Sequence, residues 1–231
     1  MIESNDKVER ESRAESRDMS EYSLGIEENS MKIIESEIGT HGYNELQWNI
    51  VRRVIHATAD FDFAKRDKSG IIFSTNAIES AFESFGKKGH IVVDVDMVRS
   101  GINKKSVAKI GTTIICNISN QEVIGISKNE NKTRSTVAMR YSSKEIDGGI
   151  VVIGNAPTAL TEVIKMIDEN VVKPALVIGM PVGFVSAAES KSELLTTNVE
   201  FITNIGRKGG SPTASSIINA LMLLYISNLN L

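Results

Sequence analysis

Five short runs of aliphatic and β-branched residues, with helical patterns between them, constrain this chain more than any other feature. They are His90-Ile91-Val92-Val93-Asp94, Thr113-Ile114-Ile115-Cys116, Ile150-Val151-Val152-Ile153, Ala175-Leu176-Val177-Ile178 and Phe201-Ile202-Thr203. A strand wetted on one side alternates apolar with polar residues, whereas a continuous apolar run belongs to a strand buried on both faces. Helical patterns fill the gaps, notably Ala159 to Ile167 and the stretch from Pro212 onward. Another carries Ala77, Ile78, Ala81, Phe82 and Phe85, with Ser74, Thr75 and Asn76 as N-caps and Gly86 as its stop. The expected fold is therefore α/β: an open, doubly wound, mostly parallel five-stranded sheet in a flavodoxin-like three-layer sandwich, strand order 2-1-3-4-5.

A chain of 231 residues suits one ordinary domain with an appendage. Residues 1–23 alternate charges with serine and offer few large apolar groups to offset the entropy of ordering, so they are expected to be a mobile tail. Residues 24–231 are expected to form a single α/β domain, opened by a helix on which Ile26, Met31, Ile34 and Ile38 recur. The balance of 26 Lys+Arg against 29 Asp+Glu lacks the basic excess of a general nucleic-acid binder. A single cysteine, Cys116, permits no intramolecular disulfide, and the N-terminus lacks an apolar leader; both point to the cytoplasm. No membrane span is expected, because the best apolar stretch, Ile217 to Ile226, is too short and reads as a core or interface helix.

The chemistry-bearing residues begin on the helix expected from about Asn44 to Ala57. Arg52 and Arg53 precede His56 by four and three residues, the separations that bring side chains together on a helix surface. An imidazole beside two guanidiniums calls for carboxylates or phosphates to answer it, although a histidine in a last turn also reads as a group satisfying the helix dipole. Three glycine-rich loops follow strands: Gly154-Asn155-Ala156-Pro157-Thr158, Gly179-Met180-Pro181-Val182-Gly183 and Gly206-Arg207-Lys208-Gly209-Gly210. Singly each reads as a tight turn; together, on the edge where doubly wound sheets bind ligands, they read as an anion-binding site. None matches a nucleotide-binding glycine pattern. Thr133-Arg134-Ser135 fits equally an N-cap with a solvated arginine or a cap whose Arg134 grips a carboxylate. Asp94 and Asp96 read as caps in preference to acid/base residues. His41, His56 and His90 are too scattered to suggest a metal site built by the protein.

Five blocks stand out in order: V-R-R-V-I-H-A at Val51 to Ala57, T-R-S at Thr133 to Ser135 and I-G-N-A-P-T-A-L at Ile153 to Leu160, then P-A-L-V-I-G-M-P-V-G-F-V-S-A-A-E-S-K at Pro174 to Lys191 and G-R-K-G-G-S-P at Gly206 to Pro212. Together they resemble the precorrin-8X methylmutase family of corrin-ring isomerases. The resemblance implies a flavodoxin-like homodimer of the cytoplasm that moves a methyl group from C-11 to C-12 of precorrin-8 or, the favoured reading, its cobalt-containing analogue. The shift is intramolecular, so no cofactor is implied and any cobalt belongs to the substrate. By the same resemblance His56 is the general acid, and Ser30, Arg134 and Ser135 hold the corrinoid tetrapyrrole. Arg52, Arg53, Asn155, Met180 and Arg207 complete the expected contacts, because a corrinoid acid sets many carboxylates around a flat apolar ring. The apolar helix from Ile217 to Tyr225 is the expected support for the dimer. A carrier that binds the ring without turnover is the alternative.

Overall fold

The structure, a computed structural model, describes residues 25–65, 67 and 69–229. The charged stretch 1–23 lies outside the described residues. Two compact units divide the chain after Thr40. In the first, residues 25–38 form helix α1, as their spacing predicts.

The second unit runs, in order, α2 (Glu45–Thr58), a 3-10 turn (Phe61–Ala64), β1 (Ile72–Phe73), α3 (Ala77–Gly86), β2 (Ile91–Val93), α4 (Asp96–Gly101), α5 (Lys104–Ile110) and β3 (Ile114–Ile115). It continues through α6 (Gln121–Asn129), α7 (Arg134–Tyr141), α8 (Ser143–Ile146), β4 (Ile150–Ile153), α9 (Pro157–Asp168), β5 (Leu176–Gly179), α10 (Ala187–Leu194), β6 (Phe201–Thr203) and α11 (Ser211–Asn228). The sheet order is β1-β6-β5-β4-β2-β3. Its five parallel strands follow the expected 2-1-3-4-5 order. The expected strand number is corrected to six: β1 pairs antiparallel with β6 through Ile72 opposite Thr203 and Phe73 opposite Ile202. Two residues carry no readable period, which is why β1 was invisible in the sequence.

The central strands β4 and β5 are buried at every position, as continuous apolar runs require. Helices α6, α7, α9 and α10 pack along one another, while α2, α3, α4 and α5 gather around α11. Right-handed crossovers put these two groups on opposite faces of the sheet. The apolar character of α11 is explained by that position. Ile217, Ile218, Ala220, Leu221 and Met222 are all buried within the unit, and a helix apolar on all sides is what a covered centre needs. Leu223 on its outer face is 39% exposed, so the support this helix offers a dimer is narrowed to that face.

Helix α2 presents Trp48, Ile50, Val51, Val54 and Ile55 to the core, chiefly against α11, each large aliphatic contributing about 1.5–3 kcal/mol on burial. Its start is a capping box in which Asn44 accepts from the Gln47 amide at 2.9 Å and the Gln47 side chain accepts from the Asn44 amide at 3.2 Å. The cap expected on α3 from Ser74, Thr75 or Asn76 is supplied instead by a distant carboxylate. Glu200, just before β6, accepts from the Asn76 amide at 2.9 Å and from the Ser74 hydroxyl at 2.5 Å.

Candidate functional site

In a doubly wound sheet the crevice lies beyond the carboxyl ends of the strands, where successive crossovers leave in opposite directions. Here that point falls between β2 and β4, and an internal anion fills it. Asp94, the residue after β2, is completely buried. Its carboxylate accepts from the amides of Gly154, Asn155 and Ala156 at 3.0, 2.8 and 2.7 Å. Burial pushes this carboxyl up, and the three amides pull against that shift. The loop expected to receive a ligand's anion with its amides has thus spent them on its own chain. Asp94 is a cap, though of a loop 60 residues away. Asp96 is not an N-cap; it begins α4 and pairs with Arg99 at 2.9 Å.

His56 stands exposed in the last turn of α2. The helix ends one turn later at Ala59, whose left-handed backbone (φ 53°) returns its amide to the carbonyl of Ile55 at 2.7 Å. Arg52 and Arg53 are half-buried on the same helix, and Arg52 donates to Asn49. The chain then turns through Asp60 and Asp62, and both carboxylates grip one ammonium. Lys208 Nζ lies 2.7 Å from Asp60 and 2.5 Å from Asp62, and Lys65 adds a contact to Asp62 at 2.5 Å. The Lys208 ammonium, helped by Lys65, holds the Asp62 carboxyl down to about 2. The carboxyl end of α2 is thereby joined to the loop after β6.

That loop is fixed from beneath as well. Lys191 on α10 is completely buried, and its Nζ donates to the Asn204 side-chain oxygen at 2.9 Å and to the Lys208 carbonyl at 2.6 Å. Burial pushes its ammonium down to about 8. Gly209 passes so close to the loop after β5 that a Cβ there would stand 2.4 Å from the Met180 carbonyl oxygen and 2.7 Å from that of Pro181. The Gly183 amide donates to the Arg207 carbonyl at 3.3 Å, and the Arg207 guanidinium stands 5.3 Å above the Phe184 ring. Phe184 and Val185 are about four-fifths exposed, at 82% and 81%. An exposed ring, a valine and a guanidinium on two interlocked loops suit a flat apolar ligand edged with carboxylates.

Met180 is corrected: its side chain is completely buried, so the apolar surface on this loop comes from Phe184 and Val185. Ser135 is also buried, and its hydroxyl meets Thr158 at 2.7 Å and Thr133 at 3.1 Å, tying the start of α7 to the start of α9. Thr133 caps α7 through the Thr136 amide, as expected. Arg134 and Asn155 are exposed at that same sheet edge. Ser30 lies on α1, in the other unit, and donates to the Ile26 carbonyl of its own helix at 2.9 Å. Among the described residues no cluster of His, Cys, Asp or Glu could hold a metal ion. A cleft of about 220 Å³ opens between α6, α7 and α9, lined by Arg140, Tyr141 and Glu162; it holds none of the expected site residues.

Asp60, Asp62, Lys191 and Lys208 were not read from the sequence as parts of this arrangement. One of them carried a signal. Lys191 shares a helix face with Ala187 and Leu194, four residues before it and three after, and a lysine buried on that face needs an internal partner. The others become legible only when β6 brings residue 208 beside residue 60.

The family model for precorrin-8X methylmutase matches residues 25–224. The chain is 46% identical to the cobalt-precorrin-8 methylmutase of Priestia megaterium over 199 residues, covering 86% of this chain and 87% of that one. It is 32% identical to a precorrin-8X methylmutase from a Sinorhizobium species over 198 residues, 85% and 92% of the two chains. Among solved structures it resembles the precorrin-8X methyl mutase of Thermus thermophilus, with a TM-score of 0.80, 36% identity, and 88% and 98% of the chains covered.

Proposed function

This chain belongs to the precorrin-8X methylmutase family, and from that premise we propose how its site performs the reaction and on which substrate. It is an isomerase of cobalamin biosynthesis. We assign the C-11 to C-12 methyl shift of cobalt-containing precorrin-8 to it, because identity is higher to the relative named for the cobalt substrate than to the Sinorhizobium one. The methyl group stays within one molecule, so no methyl donor is drawn on.

One observation carries the assignment of roles: exposed His56 ends a helix whose next turn is clasped to the loop bearing Arg207. Imidazole is the side chain that changes charge near neutrality, so it lends and recovers a proton at working pH. His56 protonates the macrocycle at ring C, the methyl migrates, and the proton leaves as C-11 rejoins the conjugated system. Arg207 and Phe184 receive the ring's rim and face, and Arg134 and Asn155 take carboxylates further along the edge. Ser30, Arg52, Arg53 and Ser135 remain proposed contacts, Ser135 through the order it gives the start of α7. We place the reaction in the cytoplasm and the enzyme in a homodimer, supported by the exposed apolar Val182, Phe184 and Val185. Light scattering at micromolar concentration tests the dimer. The carrier reading loses its support, since family model and relatives alike are methylmutases.

The test is anaerobic incubation with cobalt-precorrin-8, following the visible spectrum and the product mass in wild type and His56→Ala. The wild type changes the spectrum at constant mass, while His56→Ala still binds but turns over about 10²–10⁴-fold more slowly. A variant with undiminished turnover removes the general-acid role.

A further inference from the structure

Outside the groups assigned to the reaction, one set of charges is unusually organised for a surface. Lys208 is gripped by both Asp60 and Asp62, from the turn that follows His56, while its carbonyl is held by the buried Lys191 ammonium, itself fixed to Asn204. Two lysines therefore run in series from the core to the end of the histidine helix. We propose that Lys208, seated by Lys191, is a positioning residue that sets the orientation of the His56 imidazole toward the substrate. The inference rests on the general-acid reading of His56.

The side chains of Lys208, Asp60 and Asp62 are 45%, 28% and 34% exposed, and ion pairs at such exposure add little to global stability. Geometry at a reacting centre is far more sensitive, because small misplacement of a proton donor costs one to two orders of magnitude in rate. Ala59 has a left-handed backbone and separates the helix from the clasped turn; buried Phe63 and Ala64 anchor the far side of that turn, and the clasp fixes its near side, next to the end of the histidine helix. A guanidinium is able to bridge the same two carboxylates; a thioether is not.

The experiment uses the full chain with Lys208→Met and Lys208→Arg, alone and combined with His56→Ala, in the methyl-shift assay. Lys208→Met is expected to lower kcat about tenfold to a hundredfold with KM within about twofold. Lys208→Arg restores most of that loss, and Lys208→Met adds nothing to the residual rate of His56→Ala. Nitrogen-proton correlation spectra of the imidazoles give a readout besides activity. With only three histidines in the chain, His56 is assigned by its loss in His56→Gln, and its resonances are expected to move in Lys208→Met. Lys191→Met, of similar volume, moves them in the same direction.

Unchanged kcat together with an unmoved His56 resonance overturns the proposal. A raised KM at unchanged kcat also overturns it, by making Lys208 a direct substrate contact. Should His56→Ala turn over normally, the general-acid reading falls by itself, and the resonance shift in Lys208→Met still decides whether the clasp orients the imidazole.

Discussion

The loops after β4 and β6 look alike in sequence, both glycine-rich and both leading into a helix with proline near its start, yet they are held in opposite ways. The loop after β4 turns its amides inward onto the Asp94 carboxylate, so its own chain supplies the anion. The loop after β6 turns carbonyls inward, to Lys191 and Gly183, and sends the Arg207 and Lys208 side chains outward to Phe184 and to the aspartates behind His56. One has its backbone amides closed off by the chain's own carboxylate; the other is locked through its carbonyls and leaves two cationic side chains at the carboxyl edge. A glycine-rich loop on this edge therefore offers its amides to a ligand only where no acceptor within the chain has already taken them; its side chains are a separate matter.

The loop after β4 should depend most on its internal anion. Asp94→Ala removes the acceptor of three amides, that of Gly154 in a buried residue and those of Asn155 and Ala156 nearer the surface, and is expected to cost about 2–4 kcal/mol in denaturant unfolding; a loss under about 1 kcal/mol means that the loop after β4 does not depend on the carboxylate.

A comparable test for the loop after β6 is pH. Burial holds Lys191 at about 8, below the ordinary 10.5, so between those values the unfolded chain binds the proton that the native state has released. Unfolding free energy therefore rises with pH across that window, by up to about 3 kcal/mol from this group, and is insensitive to it below pH 8 where both states are protonated. Denaturant titrations at pH 7.5, 9 and 10.5 should show this slope in the wild type and its loss in Lys191→Met.

The contact between loops is tested by Gly209→Ala, which forces a methyl against the Met180 and Pro181 backbone carbonyls and is expected to cost about 3 kcal/mol while separating Arg207 from Phe184. A raised KM beyond the loss of stability would show that the two loops act on the ligand together.

Much of the sheet was legible because burial on both faces writes itself into composition. Ile150–Ile153 and Ile178 announce buried parallel strands, and the five parallel strands take the order their crossovers dictate. β1 was not legible, since two residues have no period and its pairing with β6 spans 131 positions from Ile72 to Thr203. The site divides similarly. The blocks around His56, Arg134 and Arg207 stand out along the chain, and the fold sets these residues on the carboxyl edge. Met180 misled because an apolar residue in a loop looks available, whereas the fold buries its side chain completely.

The local and periodic features are written in the order of the residues: the capping box at Asn44, the apolar face of α2, the Thr133 cap and the run of buried strands. Those follow from dihedral preference, hydrogen bonding within a turn, and the removal of apolar surface from water. Which charges meet is set by the folded chain alone. Asp94 reaches the Gly154 loop, Lys191 reaches residue 208, and Lys208 reaches the turn behind His56, because desolvated and charged groups find partners by proximity in space, and no spacing along the chain encodes that distance.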